Sequence, residues 1–169
     1  LPRPPKGYDL SVCSAIPMSI AGWDDGNVRI TVKDLGLTSK ALLACSPGDE
    51  LGLIGPLGVG FSLDCKQPLL MGGGVGAPPL LYLAQMFAAK GIEPITLLGG
   101  ASVSEIFHPH EFPGTVEIAT DDGSAGHCGR VTELLEKYVP SRLYTCGPEP
   151  MVVSGLNWAV ANSVPAELC

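Results

Sequence analysis

The sequence predicts an α/β chain in two parts: an antiparallel β portion up to residue 66, then a parallel sheet with helices on both faces. Three observations carry this. Short apolar and β-branched runs separated by turn residues fill the first third. From residue 67 short apolar runs alternate with longer helical ones, the rhythm of βαβ units. Finally, 46% of the 169 residues are hydrophobic, enough to bury a core.

In the first part, residues 8–16 and 27–33 read as strands. The second alternates Val28, Ile30 and Val32 with Asn27, Arg29 and Thr31, and residues 22–26 supply the turn of a hairpin. Residues 38–45 form a short helix ended by Ser46-Pro47-Gly48-Asp49, and residues 50–54 a further strand. Three strands leave unpaired edges, which calls for further strands or a covering partner. In the second part the expected order is strand 68–71, helix 79–90, strand 94–98, a short helix near 103–107, strand 115–119, helix 130–138, strand 143–146, helix 150–162 and strand 166–168.

Charge narrows the function. Ten Lys+Arg stand against 17 Asp+Glu, a net charge of −7, which argues against a phosphate-backbone binder and so against nucleic acid. Only 16% of residues are charged, well under the roughly 25% usual for globular domains, so part of the surface is expected to meet a cofactor or partner. Six cysteines lie at positions 13, 45, 65, 128, 146 and 169, with no CxxC pair, which gives no zinc or iron–sulfur pattern. With no signal peptide at residues 1–8, reduced thiols in a cytoplasmic protein are expected. His108 and His110 flank Pro109 and read as a polar loop rather than a metal pair, for want of a third ligand. Residues 67–89 carry no charge for 23 positions, but Gly72-Gly73-Gly74, Gly76 and Pro78-Pro79 interrupt them, so no membrane span is expected.

Three loops fall at successive strand ends, where ligands of parallel sheets gather. Gly72-Gly73-Gly74-Val75-Gly76-Ala77-Pro78-Pro79 lets backbone approach a pyrophosphate and opens a helix, and it equally suits a tight strand-to-helix turn. The acid that usually holds a ribose some 20 residues later is missing, because the next strand carries Thr96 and ends in Gly99-Gly100. Thr120-Asp121-Asp122-Gly123-Ser124 is a polar loop that also reads as an Asx-rich turn. Cys146-Gly147-Pro148-Glu149-Pro150-Met151 puts a thiol at the mouth of the sheet.

Together with Gly55-Pro56-Leu57-Gly58-Val59-Gly60-Phe61, these motifs in this order resemble the ferredoxin–NADP reductase superfamily, and within it the electron-transfer subunits of class B dihydroorotate dehydrogenases. The resemblance implies an N-terminal β-barrel portion of the FAD-binding type over residues 1–66, here incomplete, and an NAD(P)-binding α/β domain over residues 67–169. It implies hydride transfer from NADH to FAD and onward passage of electrons to a catalytic dehydrogenase subunit in pyrimidine biosynthesis. Position by position, Ser11 matches the serine of the family's Arg-Pro-Phe/Tyr-Ser flavin motif, with Tyr8 and Asp9 where Arg and Pro are expected. Gly36, Thr38 and Ser39 match a phosphate-binding segment. Gly73, Gly74, Gly76 and Pro79 match the NAD(P)H pyrophosphate loop, and Asp121 and Asp122 the stretch beside the nucleotide. Cys146 matches the residue that positions the nicotinamide, followed by Gly147, Pro148 and Glu149. The family's [2Fe–2S] cluster needs four closely spaced thiolates, which this chain lacks, and about three more strands are expected before residue 11.

The stretch Ala101-Ser102-Val103-Ser104-Glu105 offers hydroxyls and an acid but no cation for a 2′-phosphate, so NADH is expected over NADPH. Two other readings stay open. One is a non-enzymatic interaction subunit derived from such a reductase, favoured by the missing Arg beside Ser11 and by Leu37 in the phosphate turn. The other is a reductase subunit of a hydrogenase or sulfite-reductase type, which shares the chemistry and differs in its acceptor.

Overall fold

The computed structural model describes residues 15–169. The hairpin is β1 (Gly22–Asp24) against antiparallel β2 (Asn27–Arg29), with Trp23 opposite Val28 and Asp24 opposite Asn27. Its two-residue turn is Asp25-Gly26, with φ of 42° and 81°. Two consecutive positive φ values match the right-handed twist of the flanking strands, which is why Asp-Gly is favoured there. The first strand thus lies inside the segment expected to be only the turn, while the second covers just the first three residues of the strand expected over 27–33. Residues 8–14 fall outside the described part, and Ala15 and Ile16 carry no regular structure.

Helix α1 (Leu37–Leu43) follows, and residues 45–66 run without helix or strand. The strand expected over 50–54 does not form: Leu51, Leu53 and Ile54 are exposed, and no neighbouring strand among the described residues offers them hydrogen bonds. Apolar character alone does not make a strand without a ladder partner.

The second part is a six-stranded, all-parallel sheet. Its strands are β3 (Pro68–Gly73), β4 (Ile95–Gly100), β5 (Thr115–Thr120), β6 (His127–Cys128), β7 (Arg142–Cys146) and β8 (Ala166–Leu168), in the spatial order β6-β5-β4-β3-β7-β8. Helix α2 (Ala77–Ala89) covers one face, packing Leu80, Leu81, Ala84 and Phe87 on Leu70, Leu98 and Tyr144. Helix α3 (Glu149–Ala161) and a 3-10 helix, Val131–Lys137, cover the other, where Leu134, Leu135 and Ala159 meet Leu69, Met71, Leu97 and Leu143. Leu69, Leu70 and Met71 therefore alternate between the two layers, as the two-residue period of a strand requires. Each of these fully buried side chains contributes roughly 1.5–3 kcal/mol. The expected helix over 130–138 is instead 3-10, because Pro140 limits the run and its apolar positions 131, 134 and 135 already bury it in two turns. Around residues 103–107 the chain makes only a single 3-10 turn, Val103–Glu105.

Phe61 and Ser62 fasten the segment before β3 to the sheet. Phe61 meets Tyr144 edge-on with ring centroids 5.6 Å apart, the Tyr144 hydroxyl donates to the Ser62 carbonyl at 2.7 Å, and the Ser62 amide donates to Glu167 at 2.8 Å. Glu167 in turn holds Arg142 at 2.6 Å across β7 and β8. Among the described residues, no helix is long and apolar enough to cross a membrane.

Candidate functional site

The chain runs outward from β3 to β4 and β5 in one direction, then returns to place β7 and β8 on the other side. The carboxyl ends of β3 and β7 thus flank a topological switch point, where the connections diverge and leave a crevice. Gly73 and Gly74 stand at one lip and Cys146 and Gly147 at the other.

Glycine is required here for two different reasons. A Cβ on Gly76 would lie 2.2 Å from the Cys146 carbonyl oxygen, one on Gly73 2.8 Å from the Met151 sulfur, and one on Gly147, at φ 151°, 2.9 Å from the Gly73 backbone. These three let the two loops interlock. Gly74 differs: at φ 52° it has nothing within 4 Å of where a Cβ would stand, so its backbone faces open space. Pro78 and Pro79 sit in the first turn of α2, where their missing amide hydrogens cost no helical bond.

Cys146 is 8% exposed and its thiol lies beside that of Cys169, whose amide donates to the Thr145 carbonyl at 3.1 Å. Burial, with the Cys169 thiol adding to it, pushes the Cys146 thiol up to about 12, so it is neutral near pH 7. Cys169 also lies 3.8 Å from the Ser19 hydroxyl. The contact links the end of β7 to the wall of a cleft of about 450 Å³, lined by residues 16–19, 31–33 and 35–39 together with Val75, Pro78 and Pro79. Gly36, Thr38 and Ser39 line this cleft. Ser39, however, is buried and its hydroxyl is engaged locally: it accepts from the Leu35 and Gly36 amides, both at 2.9 Å, and donates to the Gly36 carbonyl. It shapes the turn into α1.

Ser11 lies outside the described residues. The stretch that does line the cleft is Pro17-Met18-Ser19, and a Pro-x-Ser pattern is what the flavin motif consists of beyond its arginine. That pattern is the sequence signal that distinguishes Ser19 from Ser11. Ile16 precedes this stretch in the cleft wall, and Lys33, which also lines the cleft, makes no ion pair among the described residues.

A second cleft of about 530 Å³ shares Thr31, Lys33 and Val75 with the first and extends past Gly74 to Ser104, Glu105 and residues 106–110. Asp121 and Asp122 are exposed at the end of β5. Asp122 accepts from the Ser124 hydroxyl at 2.6 Å and amide at 2.9 Å, which holds its carboxyl below the usual range, and Ser124 in turn accepts from the Val103 amide. Asp122 therefore braces its own loop, while the Asp121 side chain has no hydrogen bond among the described residues. Pro148 caps α3, and Glu149 lies exposed in that helix's first turn.

No family model matches the chain. Among curated proteins, the electron transfer subunit of dihydroorotate dehydrogenase B (NAD(+)) from Geobacillus thermodenitrificans is 40% identical over 146 residues, 80% of this chain and 57% of that protein. The subunit of the same name from Fusobacterium nucleatum is 37% identical over 155 residues, 83% of this chain and 60% of the relative. The chain thus spans less than two thirds of the length of these relatives. Among solved structures, the NADH-dependent reduced ferredoxin–NADP oxidoreductase superposes with a TM-score of 0.76 at 27% identity over 90% of this chain and 59% of that one. The FAD/NAD-binding domain of a nitric oxide dioxygenase from Vibrio cholerae superposes with a TM-score of 0.78 at 21% identity, covering 99% of this chain and 81% of the other. The fold is that of ferredoxin–NADP reductase-like FAD/NAD-binding proteins, and the curated relatives agree with the resemblance carried by the motifs.

Proposed function

We propose, from this homology to electron-transfer subunits of dihydroorotate dehydrogenase B, that the chain binds FAD and NADH and passes electrons to a catalytic dehydrogenase subunit in pyrimidine biosynthesis. The observation that carries the reading is the convergence of Ser19, Cys169 and Cys146, which brings the wall of the first cleft to the switch point of the sheet. We assign residues 1–66 to FAD binding and 67–169 to NAD binding, in a cytoplasmic protein.

The residues present fit these cofactors. The first cleft has an apolar wall of Pro17, Val32, Val75, Pro78 and Pro79 for a flat ring, with Ser19, Thr31 and Thr38 for polar edges. Gly74 leaves room for a pyrophosphate against open backbone. Bound FAD would supply the ring that accepts a hydride and passes electrons on singly. The chain's own part is alignment. Ser19, rather than Ser11, is assigned the hydroxyl contact to the ring, and Lys33 the cation for phosphate in place of the missing arginine. Cys146, neutral and packed, positions the nicotinamide without acting as nucleophile or base. Gly73, Gly76 and Gly147 hold the two loops together around Cys146, which meets the first cleft through Cys169 and Ser19, while Asp121 and Glu149 offer carboxylates to the nucleotide. No [2Fe–2S] ligation is assigned to this chain's cysteines.

The test is an absorbance spectrum of the purified chain reconstituted with FAD, followed by anaerobic addition of NADH. Flavin bands that remain after gel filtration and bleach with NADH are expected. A well-folded sample that retains no FAD would support the non-enzymatic interaction subunit instead.

A further inference from the structure

Residues 108–111, which the proposed electron transfer does not use, bring two imidazoles and a carboxylate to one point. A ligand atom from each of His108, His110 and Glu111 lies within 4.8 Å of the other two. The His108 Nδ1 to Glu111 Oε1 distance is 3.4 Å. Two donors bound tetrahedrally to zinc at its usual bond lengths stand roughly 3.3–3.4 Å apart, so that pair already has the spacing of one edge of a coordination shell.

The donors are also held from outside. Pro109 fixes the backbone between the two histidines and starts a 3-10 turn (Pro109–Glu111), with His108 at φ 30° ahead of it. The Phe107 ring packs edge-on against His108 at 4.6 Å, and the two imidazoles lie 5.8 Å apart at 75° in an edge contact rather than stacked. Glu111 has two oxygens with two different neighbours: Oε1 faces His108, and Oε2 accepts from Arg29 on β2 at 3.1 Å. An outer hydrogen bond of this kind orients a ligating carboxylate. His108 and His110 line the second cleft, which leaves further coordination positions open to water.

We propose that His108, His110 and Glu111 form a binding site for a divalent transition metal of the zinc class, completed by water. Two imidazoles and one carboxylate with an open position are a donor set that zinc accepts. Through Arg29 the site ties the hairpin to the loop after β4, so occupancy clamps the two parts of the molecule together. The proposal stands apart from the assigned electron transfer, because its readout needs neither flavin nor NADH.

The experiment is equilibrium dialysis of the full chain against zinc alone, with cysteines first blocked by alkylation, because exposed Cys128 and Cys169 are competing ligands. One zinc per chain is expected, with binding weakened tenfold or more in His110→Ala and in Glu111→Gln, and a zinc-dependent rise in Tm that both variants lose. Cobalt in place of zinc should give weak ligand-field bands without thiolate charge transfer. Two results would overturn the proposal: no zinc uptake by the blocked chain, or uptake unchanged in a His108→Ala/His110→Ala double variant of unaltered zinc-free Tm.

Discussion

Burial decides what Cys146 can do. A thiolate there would be stripped of water at the end of a central strand, so the proton stays on to about pH 12. Near neutral pH this leaves far less thiolate on Cys146 than on an ordinary exposed cysteine. Brief alkylation at pH 8 should therefore modify exposed Cys128 and Cys169 and spare Cys146, as read by peptide mass mapping. Labelling of all three at similar rates would contradict a neutral, protected thiol. Glu105 sets the second expectation at this scale. Its carboxylate, fastened to the Ala101 amide at 3.3 Å, borders the second cleft and would repel a 2′-phosphate. The kcat/KM for NADH should exceed that for NADPH by about tenfold or more, equivalent to about 1.4 kcal/mol. Glu105→Gln should narrow the gap, and a clear NADPH preference in the unaltered chain would refute it. Residue roles were only partly legible in the sequence. Ser39 and Asp122 have suitable chemistry for ligands, yet their polar atoms are taken up by backbone and by Ser124, and nothing in a local pattern tells a capping hydroxyl from a binding one. Glu111, three residues after His108, meets it only because the chain makes a 3-10 turn there, and a Pro-containing polar loop gives little sign of that turn in sequence.

At the scale of elements, the two glycine-bearing loops separate into a packing role and an open role. In Gly76→Ala the new methyl would meet the Cys146 carbonyl at 2.2 Å, backbone that cannot move aside. Overpacking of this kind costs about 1–3 kcal/mol, and the displaced β7 loop should also lower turnover. Gly74→Ala meets no neighbour and pays only for its left-handed backbone, about 1–2 kcal/mol, while placing a methyl where the nucleotide is proposed to lie. Denaturant midpoints measured beside KM for NADH should divide the pair: both variants lose stability, and Gly74→Ala raises KM more than its stability loss explains. Equal KM values for Gly74→Ala and the unaltered chain would remove Gly74 from the nucleotide site. Five of the six parallel strands were readable from sequence to within two residues, as apolar runs between turns, a strong and local signal; β6, two exposed residues inside what reads as a polar loop, was not. The first part was read less well. Asp25-Gly26 was a hairpin turn in plain view, but the longer alternation of residues 27–33 drew the strand past Arg29. Residues 50–54 have the composition of a strand, and only a partner strand would have made them one.

For the molecule as a whole, stability depends on buried hydroxyl and thiol groups more than on its exposed ion pairs. Tyr144 is fully buried between Phe61 and Phe87 and its hydroxyl holds Ser62, so it joins the segment before β3 to the sheet. Desolvation raises its pKa well above the ordinary value, raises Tyr138 to about 12 with the help of its bond to Glu117, and raises Cys146 likewise. A group with a raised folded-state pKa holds its proton more tightly in the fold. Its stabilising contribution is whole below the unfolded pKa and disappears as pH climbs through the folded one. With unfolded values of roughly 8.5 for cysteine and 10 for tyrosine, stability should be flat from pH 7 to about 8.5 and fall steadily above that. Glu117 adds the opposite dependence at low pH, because the Lys137 and Tyr138 hydrogen bonds depress its pKa and are lost only as it protonates. Tm measured from pH 7 to 11 should show the alkaline decline, and Tyr144→Phe should change it in two ways. Loss of the hydroxyl leaves the Ser62 carbonyl without its donor, costing about 1–3 kcal/mol at pH 7, while the decline above pH 10 becomes shallower because one of its titrating groups is gone. A variant curve running parallel to the original across the whole range would show that Tyr144 does not contribute to the alkaline limit.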